Sequence, residues 1–223
     1  MKTIRLFFFA YIFCCLNPLF AQDEMGNGLL FPQFEKGTVV FKNGSRTPAL
    51  LNYNMLQEEM LFQDANSTVM VLANPVDILV VIIGEQRFSP ISSKGIFYQE
   101  IQAGNGSFFV QHKAAMLSEG KAAAYGGYSQ TSSITAYGSL YNAESGTVYN
   151  LNINEKFKLK IDNFYYILSG KNYKKFNNAK SLGKLFKGNE SKIEQFAKEQ
   201  SINFNKIEDI TRIVEYGYSI TKF

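Results

Sequence analysis

Histidine, cysteine and paired carboxylates are the residues from which unaided protein chemistry is most often built, and this chain holds few of them. His112 is the only histidine among 223 residues, and the two cysteines, Cys14 and Cys15, are adjacent. A Ser-His-acid triad would have to use His112. Ser118 and Glu119 lie near it, but no Gly-x-Ser-x-Gly elbow accompanies them. His112 closes an apolar run and is followed by Lys113, a pattern that predicts a surface or half-buried strand histidine.

The acids are no more suggestive. Glu58 and Glu59 are adjacent in sequence, and in a strand adjacent side chains point to opposite faces. Glu208 and Asp209 open a predicted helix, where negative charge suits the dipole. Glycosidase carboxylates come from distant segments, so a sequence leaves that pairing open. Gly120-Lys121 lacks the glycine and hydroxyl residue of a phosphate loop, and Gly126-Gly127 lacks a third glycine at the right spacing. No two-histidine helix and no calcium loop is present. The reading is therefore no catalytic residue, no metal ligand and no cofactor.

Recognition is better served. Between Lys121 and Glu144 lie 22 residues without a charge, rich in Gly, Ser, Thr, Ala and Tyr. Tyr125, Tyr128, Tyr137 and Tyr141 sit within them. Tyrosine offers a large contact area at small entropy cost, while Ser, Gly and Asn supply adaptable hydrogen bonds. These four tyrosines are the candidate ligand-binding residues, on a loop spanning 122–143. From Lys156 to Lys187 there are nine lysines and no arginine. Nucleic-acid sites favour arginine for bidentate contacts, and the net charge of +4 is small, so no nucleic-acid partner is expected. The lysines read as a solvated face with a weak attraction to an anionic lipid or polysaccharide surface.

The elements that must position these residues follow from periodicity and turn chemistry. Gly37–Lys42 and Pro48–Tyr53 are predicted strands joined through Asn43-Gly44, a strong hairpin signal. Glu59–Gln63, Thr68–Leu72 and Val76–Ile83 follow, the last so uniformly apolar that burial on both faces is expected. Gly95–Ile101 and Ser107–His112 form another hairpin, and Thr147–Ile153, Phe157–Ile161 and Asn163–Leu168 resume strand character. The end of the chain reads as three helical pieces, capped by Ser181, by Asn189 or Ser191, and by Asn205 with Glu208 as its return partner. Ile207, Ile210, Ile213 and Val214 supply a helical stripe.

At the start, Lys2 and Arg5 precede an unbroken apolar run, Leu6–Leu16. Asn17-Pro18 breaks it, and Leu19-Phe20-Ala21 follows. This order predicts a signal peptide over 1–21, with the run about half the roughly 20 residues a spanning helix needs. Cleavage would remove both cysteines, leaving neither disulfide nor thiolate. Charge then divides the rest. Gln22–Asn150 holds 7 basic and 11 acidic residues, and Leu151–Phe223 holds 14 and 8. With 46% hydrophobic and 19% charged residues the chain is globular, and the prediction is an α+β fold. Its antiparallel meander or curled sheet body spans 22–168, with two to three short C-terminal helices in a basic tail, 169–223, packed on it.

Leu19-Phe20-Ala21-Gln22, Phe41-Lys-Asn-Gly-Ser45, Ala49–Asn54, Ala124-Tyr-Gly-Gly127 and the ending Lys180–Phe186, Ile193–Phe196, Glu208-Asp209 together resemble an uncharacterised exported family of Bacteroidota. The resemblance implies an envelope location and brings no activity or site residue with it. The sequence reading is thus an exported envelope protein, periplasmic or outer-membrane-associated or extracellular, that binds a protein or glycan partner without catalysis. The alternatives are a carboxylate-dependent hydrolase of envelope glycans and a structural subunit of an envelope assembly.

Overall fold

A computed structural model describes residues 28–91, 95–118, 121–122, 128–129, 139–142, 147–150 and 157–221. The first strands are β1 (Glu35–Phe41), β2 (Arg46–Asn54), β3 (Glu59–Gln63) and β4 (Val69–Val71). Next come β5 (Ile78–Ile83), β6 (Gln86–Pro90), β7 (Phe97–Ala103), β8 (Gly106–Gln111) and β9 (Ala114–Ser118). The short β10 (Lys121–Ala122), β11 (Tyr128–Ser129), β12 (Ser139–Asn142) and β13 (Thr147–Asn150) lead to β14 (Phe157–Ile161), β15 (Phe164–Ser169) and β16 (Asn172–Phe176). Helices α1 (Ala179–Gly183), α2 (Glu190–Glu199) and α3 (Ile207–Ile220) end the chain.

Ten strands form one unclosed antiparallel meander in the order β4-β3-β2-β1-β5-β6-β7-β8-β15-β16, and β13 adds to the β4 edge with β12 outside it. This is the α+β architecture with a curled sheet and C-terminal helices. The Asn43-Gly44 turn sets Val39 opposite Thr47 and Thr38 opposite Pro48, so Val39 and Leu51 fall on the inner face. That face curls over Phe31, Leu51, Tyr53, Met60, Val81, Phe88 and Phe97. The Phe88 ring is its hub, 6.2 Å from Tyr53 and 6.3 Å from Phe31.

A second core lies between β7, β8, β15, β16 and the helices. Ile210, Ile213, Val214 and Gly217 of α3 are buried there at helical spacing. Each aliphatic side chain so buried contributes about 1.5–3 kcal/mol, which is what short helices need to persist.

Several details depart from expectation. The Val76–Ile83 run starts with a 3₁₀ turn, Pro75–Asp77, and Leu79 is 56% exposed, so β5 is not buried throughout both faces. β6 and β16 are strands where none was read. The α1 cap is Asn178, whose side chain accepts from Ser181 N (2.8 Å) while Ser181 Oγ accepts from Asn178 N (3.2 Å). Asn189 precedes α2 without a side-chain cap bond and instead reaches toward Ile220 O. Asn205 does not cap α3; Asp209 accepts from Asn203 N (2.9 Å) and from Arg212 (2.6 Å). The 122–143 stretch is not wholly loop, since β11 and β12 fall inside it.

Candidate functional site

The central feature is a bent two-stranded ribbon. Gly106–Ser118 is one extended run, broken at His112-Lys113 into β8 and β9. Phe157–Ser169 is its partner, broken at Asp162-Asn163 into β14 and β15. Both halves share one register, Gln111 opposite Phe164 and Ala114 opposite Ile161. At the break the ladder is carried by Asp162 N donating to Lys113 O (2.8 Å) and Lys113 N donating to Asn163 Oδ1 (3.2 Å). The near half belongs to the main sheet. The far half stands as its own pair, and the 122–143 segment lies in the connection between its ends.

The turn between β2 and β3 locks onto this bend. Asn54 Oδ1 accepts from Leu56 N (2.9 Å) and Gln57 N (3.2 Å), shaping the turn as an Asx motif. Ala114 N donates to Met55 O (2.9 Å), joining β9 to the turn. Glu58 then stands with φ of 60°, a left-handed conformation that costs a non-glycine residue about 1–2 kcal/mol. Its carboxylate offsets that cost. Lys113 Nζ donates to Glu58 Oε2 (2.8 Å), and Gln111 Nε2 donates to Oε1. Glu58 is therefore not a strand residue alternating with Glu59, as its sequence position suggests. It is the tip of a clasp reaching 53 and 55 residues along the chain.

The clasp continues across the sheet. Gln111 Oε1 accepts from the Tyr166 hydroxyl (2.7 Å). Tyr166 is hydrogen-bonded to Tyr98 and stacked on it, with ring centroids 4.7 Å apart. Burial first, then that hydrogen bond, holds the Tyr98 hydroxyl protonated well beyond the usual phenol range. Tyr173 packs edge-on against Tyr98 (5.6 Å) and Phe109 (4.9 Å), and Lys175 Nζ sits 3.3 Å over the Phe164 ring. Glu100 on the same strand as Tyr98 faces Arg87 (3.7 Å) and accepts from Ser107 Oγ (3.1 Å).

His112 lies at the bend and turns inward. It is 3% exposed, which corrects the surface or half-buried reading: the strand reverses face there and drives the ring against Phe88 (6.5 Å). Nε2 lies 2.6 Å from Gln99 Oε1, and Gln99 Nε2 donates to Gln86 Oε1 (2.9 Å). This places the ring proton on Nε2. Burial pushes the imidazole pKa down to about 4, so the ring is neutral near pH 7. Close by, Glu59 Oε2 is buried without a hydrogen-bond partner, and burial raises its carboxyl above the usual range. The Tyr53 hydroxyl is likewise buried and makes no well-formed hydrogen bond, although the Phe97 backbone lies near it.

The sequence-predicted binding residues are only partly placed. Tyr128 lies in β11 opposite Ala122, and Tyr141 in β12 opposite Val148. Tyr125 and Tyr137 lie outside the described residues, as does Glu119. Ser118 ends β9. Glu58, Tyr98, Gln99, Gln111, Lys113 and Tyr166 were not singled out from sequence as a group. The sole hint is the polar triplet Gln111-His112-Lys113 interrupting an apolar strand. Two hollows built from described residues lie elsewhere: an open one of about 480 Å³ around Phe41, Lys42, Asn74 and Asp77, and another of about 290 Å³ between α1 and α2. Among the described residues, no cluster of three His, Cys, Asp or Glu has the geometry to hold a metal ion, and no helix is long and apolar enough to cross a membrane. No protein-family model, no curated protein and no solved structure is significantly similar to this chain.

Proposed function

We propose that the protein is an exported, non-enzymatic binding module of the cell envelope that captures a protein or glycan partner through residues 122–143. Tyr125, Tyr128, Tyr137 and Tyr141 supply the contact area. The observation that carries this reading is that Glu58, Glu100 and His112 are each matched by a neighbouring side chain, with the Glu59 carboxyl and the Tyr53 hydroxyl the buried exceptions among the described residues. Glu58 is matched by Lys113 and Gln111, Glu100 by Arg87 and Ser107, and His112 by Gln99. A general acid or base needs an exchangeable proton within reach of substrate. These groups instead fix a turn to a ribbon, and the tyrosine-rich segment follows one strand of that ribbon in the chain. Hydrolysis by paired carboxylates would need two acids free to converge, whereas Glu58 and Glu100 are each held by a cation and Glu59 alone of the three lacks a partner.

Export is supported by the order of charge, apolar run, breaker and small residue over 1–21. Mass spectrometry of the protein recovered from its own cells should find a first residue close to Gln22; a chain still starting at Met1 would remove this part of the proposal. Crosslinking capture from native envelope should recover a partner with the wild-type protein. It should fail with all four tyrosines changed to Ala, while far-UV circular dichroism stays unchanged.

A further inference from the structure

Lys171–Lys198 contains eight lysines against two glutamates and no arginine. All eight lysines are exposed, and none has a carboxylate within ion-pair distance among the described residues. The elements that carry them are neighbours at one end of the fold, although Lys175 lies on the face of β16 opposite Lys174, with its Nζ over the Phe164 ring. β16 is the last strand of the sheet, α1 follows and packs beside it, and α2 packs on α1, while α3 lies further in against β7 and β8. Lys180 lies in α1, Lys184 at its C-cap and Lys187 in the turn that follows, with Leu182 and Phe186 between them buried in the core.

Such a flank adds nothing to stability, because unpaired like charges repel. Its chemistry is also particular. Lysine is a compact charge on a flexible stem and suits a diffuse field, whereas arginine suits planar, bidentate recognition. The hollow between α1 and α2 is open, and Glu194 lines it beside Lys180 and Lys198, so it is not a phosphate cradle. The remainder of the chain has the opposite sign, since Gln22–Asn150 holds 7 basic and 11 acidic residues. A chain polarised this way orients in a field, with the lysine flank drawn toward a negative surface and the body held off it.

We propose that this flank is a peripheral docking surface for an anionic phospholipid bilayer. A cluster of four to eight basic residues has the charge needed for such binding, roughly tenfold in affinity for each one or two lysines near the membrane. The inference does not rest on the tyrosine-rich segment.

The test is sedimentation of the full protein with phosphatidylcholine vesicles, with and without phosphatidylglycerol. The expected result is binding only when phosphatidylglycerol is present, abolished near 1 M salt, where the Debye length is about 3 Å. The triple variant Lys180→Gln, Lys184→Gln, Lys187→Gln should bind about a hundredfold more weakly. A control triple, Lys36→Gln, Lys42→Gln, Arg46→Gln, removes the same charge from exposed body positions and should bind within about threefold of wild type. Equal losses in both triples would overturn the proposal, because net charge alone would explain them. So would equal binding to both vesicle types, or retention on polygalacturonate without vesicle binding.

Discussion

The buried imidazole of His112 makes stability depend on pH within a window set by two values. In the native protein its pKa is pushed down to about 4; in the unfolded chain it returns to the ordinary 6.5. Between these values the unfolded chain binds a proton that the native one does not, so stability falls as pH falls. The contribution is fully present above 6.5 and is lost progressively down to about 4. A difference of about 2.5 units corresponds to about 3.4 kcal/mol in all, of which about 2 kcal/mol is lost between about pH 7 and about pH 5. For a chain of this size that is a fall in Tm of about 4–8 °C. The assay is urea unfolding at both pH values for wild type and His112→Gln, which keeps a donor for Gln99. The variant has its own stability, but its pH dependence should be smaller by about 2 kcal/mol. Glu59, whose raised carboxyl acts in the opposite sense, is present in both proteins and cancels in the difference. Parallel pH profiles would refute the reasoning, because they would mean that the ring takes up its proton equally in both states.

Other consequences can be checked in the same way. Asn52 is fully buried and bonds Phe31 N, Phe31 O, Gln33 O and Tyr53 N, filling the break between residues 28–31 and β1. Asn52→Ala should cost about 2–4 kcal/mol in denaturant unfolding, since it leaves several buried backbone groups unpaired. A Cβ on Gly217 would stand 2.7 Å from the Phe186 ring, so Gly217→Ala should destabilise by about 1–2 kcal/mol despite the gain of about 1 kcal/mol in helix propensity. Adding Phe186→Leu should make the alanine less harmful; an unchanged penalty would argue against the clash. Lys113→Met removes the cation from Glu58, and because the Lys113 side chain is 41% exposed the loss should be only about 1 kcal/mol after solvent screening. Amide hydrogen exchange should nevertheless speed up at Ala114 and in the β2–β3 turn, and unchanged protection there would mean that the ion pair is not a clasp.

Much of the fold was legible where local chemistry and burial agree. Asn43-Gly44 placed the first hairpin, and Glu59–Gln63 was recovered with its limits intact, because an apolar segment between turn residues has few alternatives. The strands that escaped are those whose burial rests on neighbours. β6 reads Gln-Arg-Phe-Ser-Pro, with Phe88 its only fully buried side chain, and β16 hides two inward or ring-packing aromatics among lysines. His112 looked like a strand end because its burial comes from a bend imposed by the β2–β3 turn and the partner strand. The clasp was illegible for the same reason: Glu58 meets Lys113 only after the sheet has curled. Asn189 does stand at the α2 N-cap position, though without a side-chain bond, whereas the α1 cap is Asn178 rather than Ser181 and that of α3 is Lys206 rather than Asn205, since Ser, Asn and Asp are interchangeable signals until the backbone selects one. The tyrosine-rich segment is read from composition alone, and in the chain it lies between β9 and β14.

The most direct measurement is crosslinking capture from native envelope, comparing wild type with the variant in which Tyr125, Tyr128, Tyr137 and Tyr141 are all Ala, and mass-spectrometric identification of what is retained. The account predicts one dominant partner, protein or glycan, held by wild type and lost from the variant while both proteins unfold at the same urea concentration. Equal capture by the two would contradict it and move the search for the binding surface away from residues 122–143.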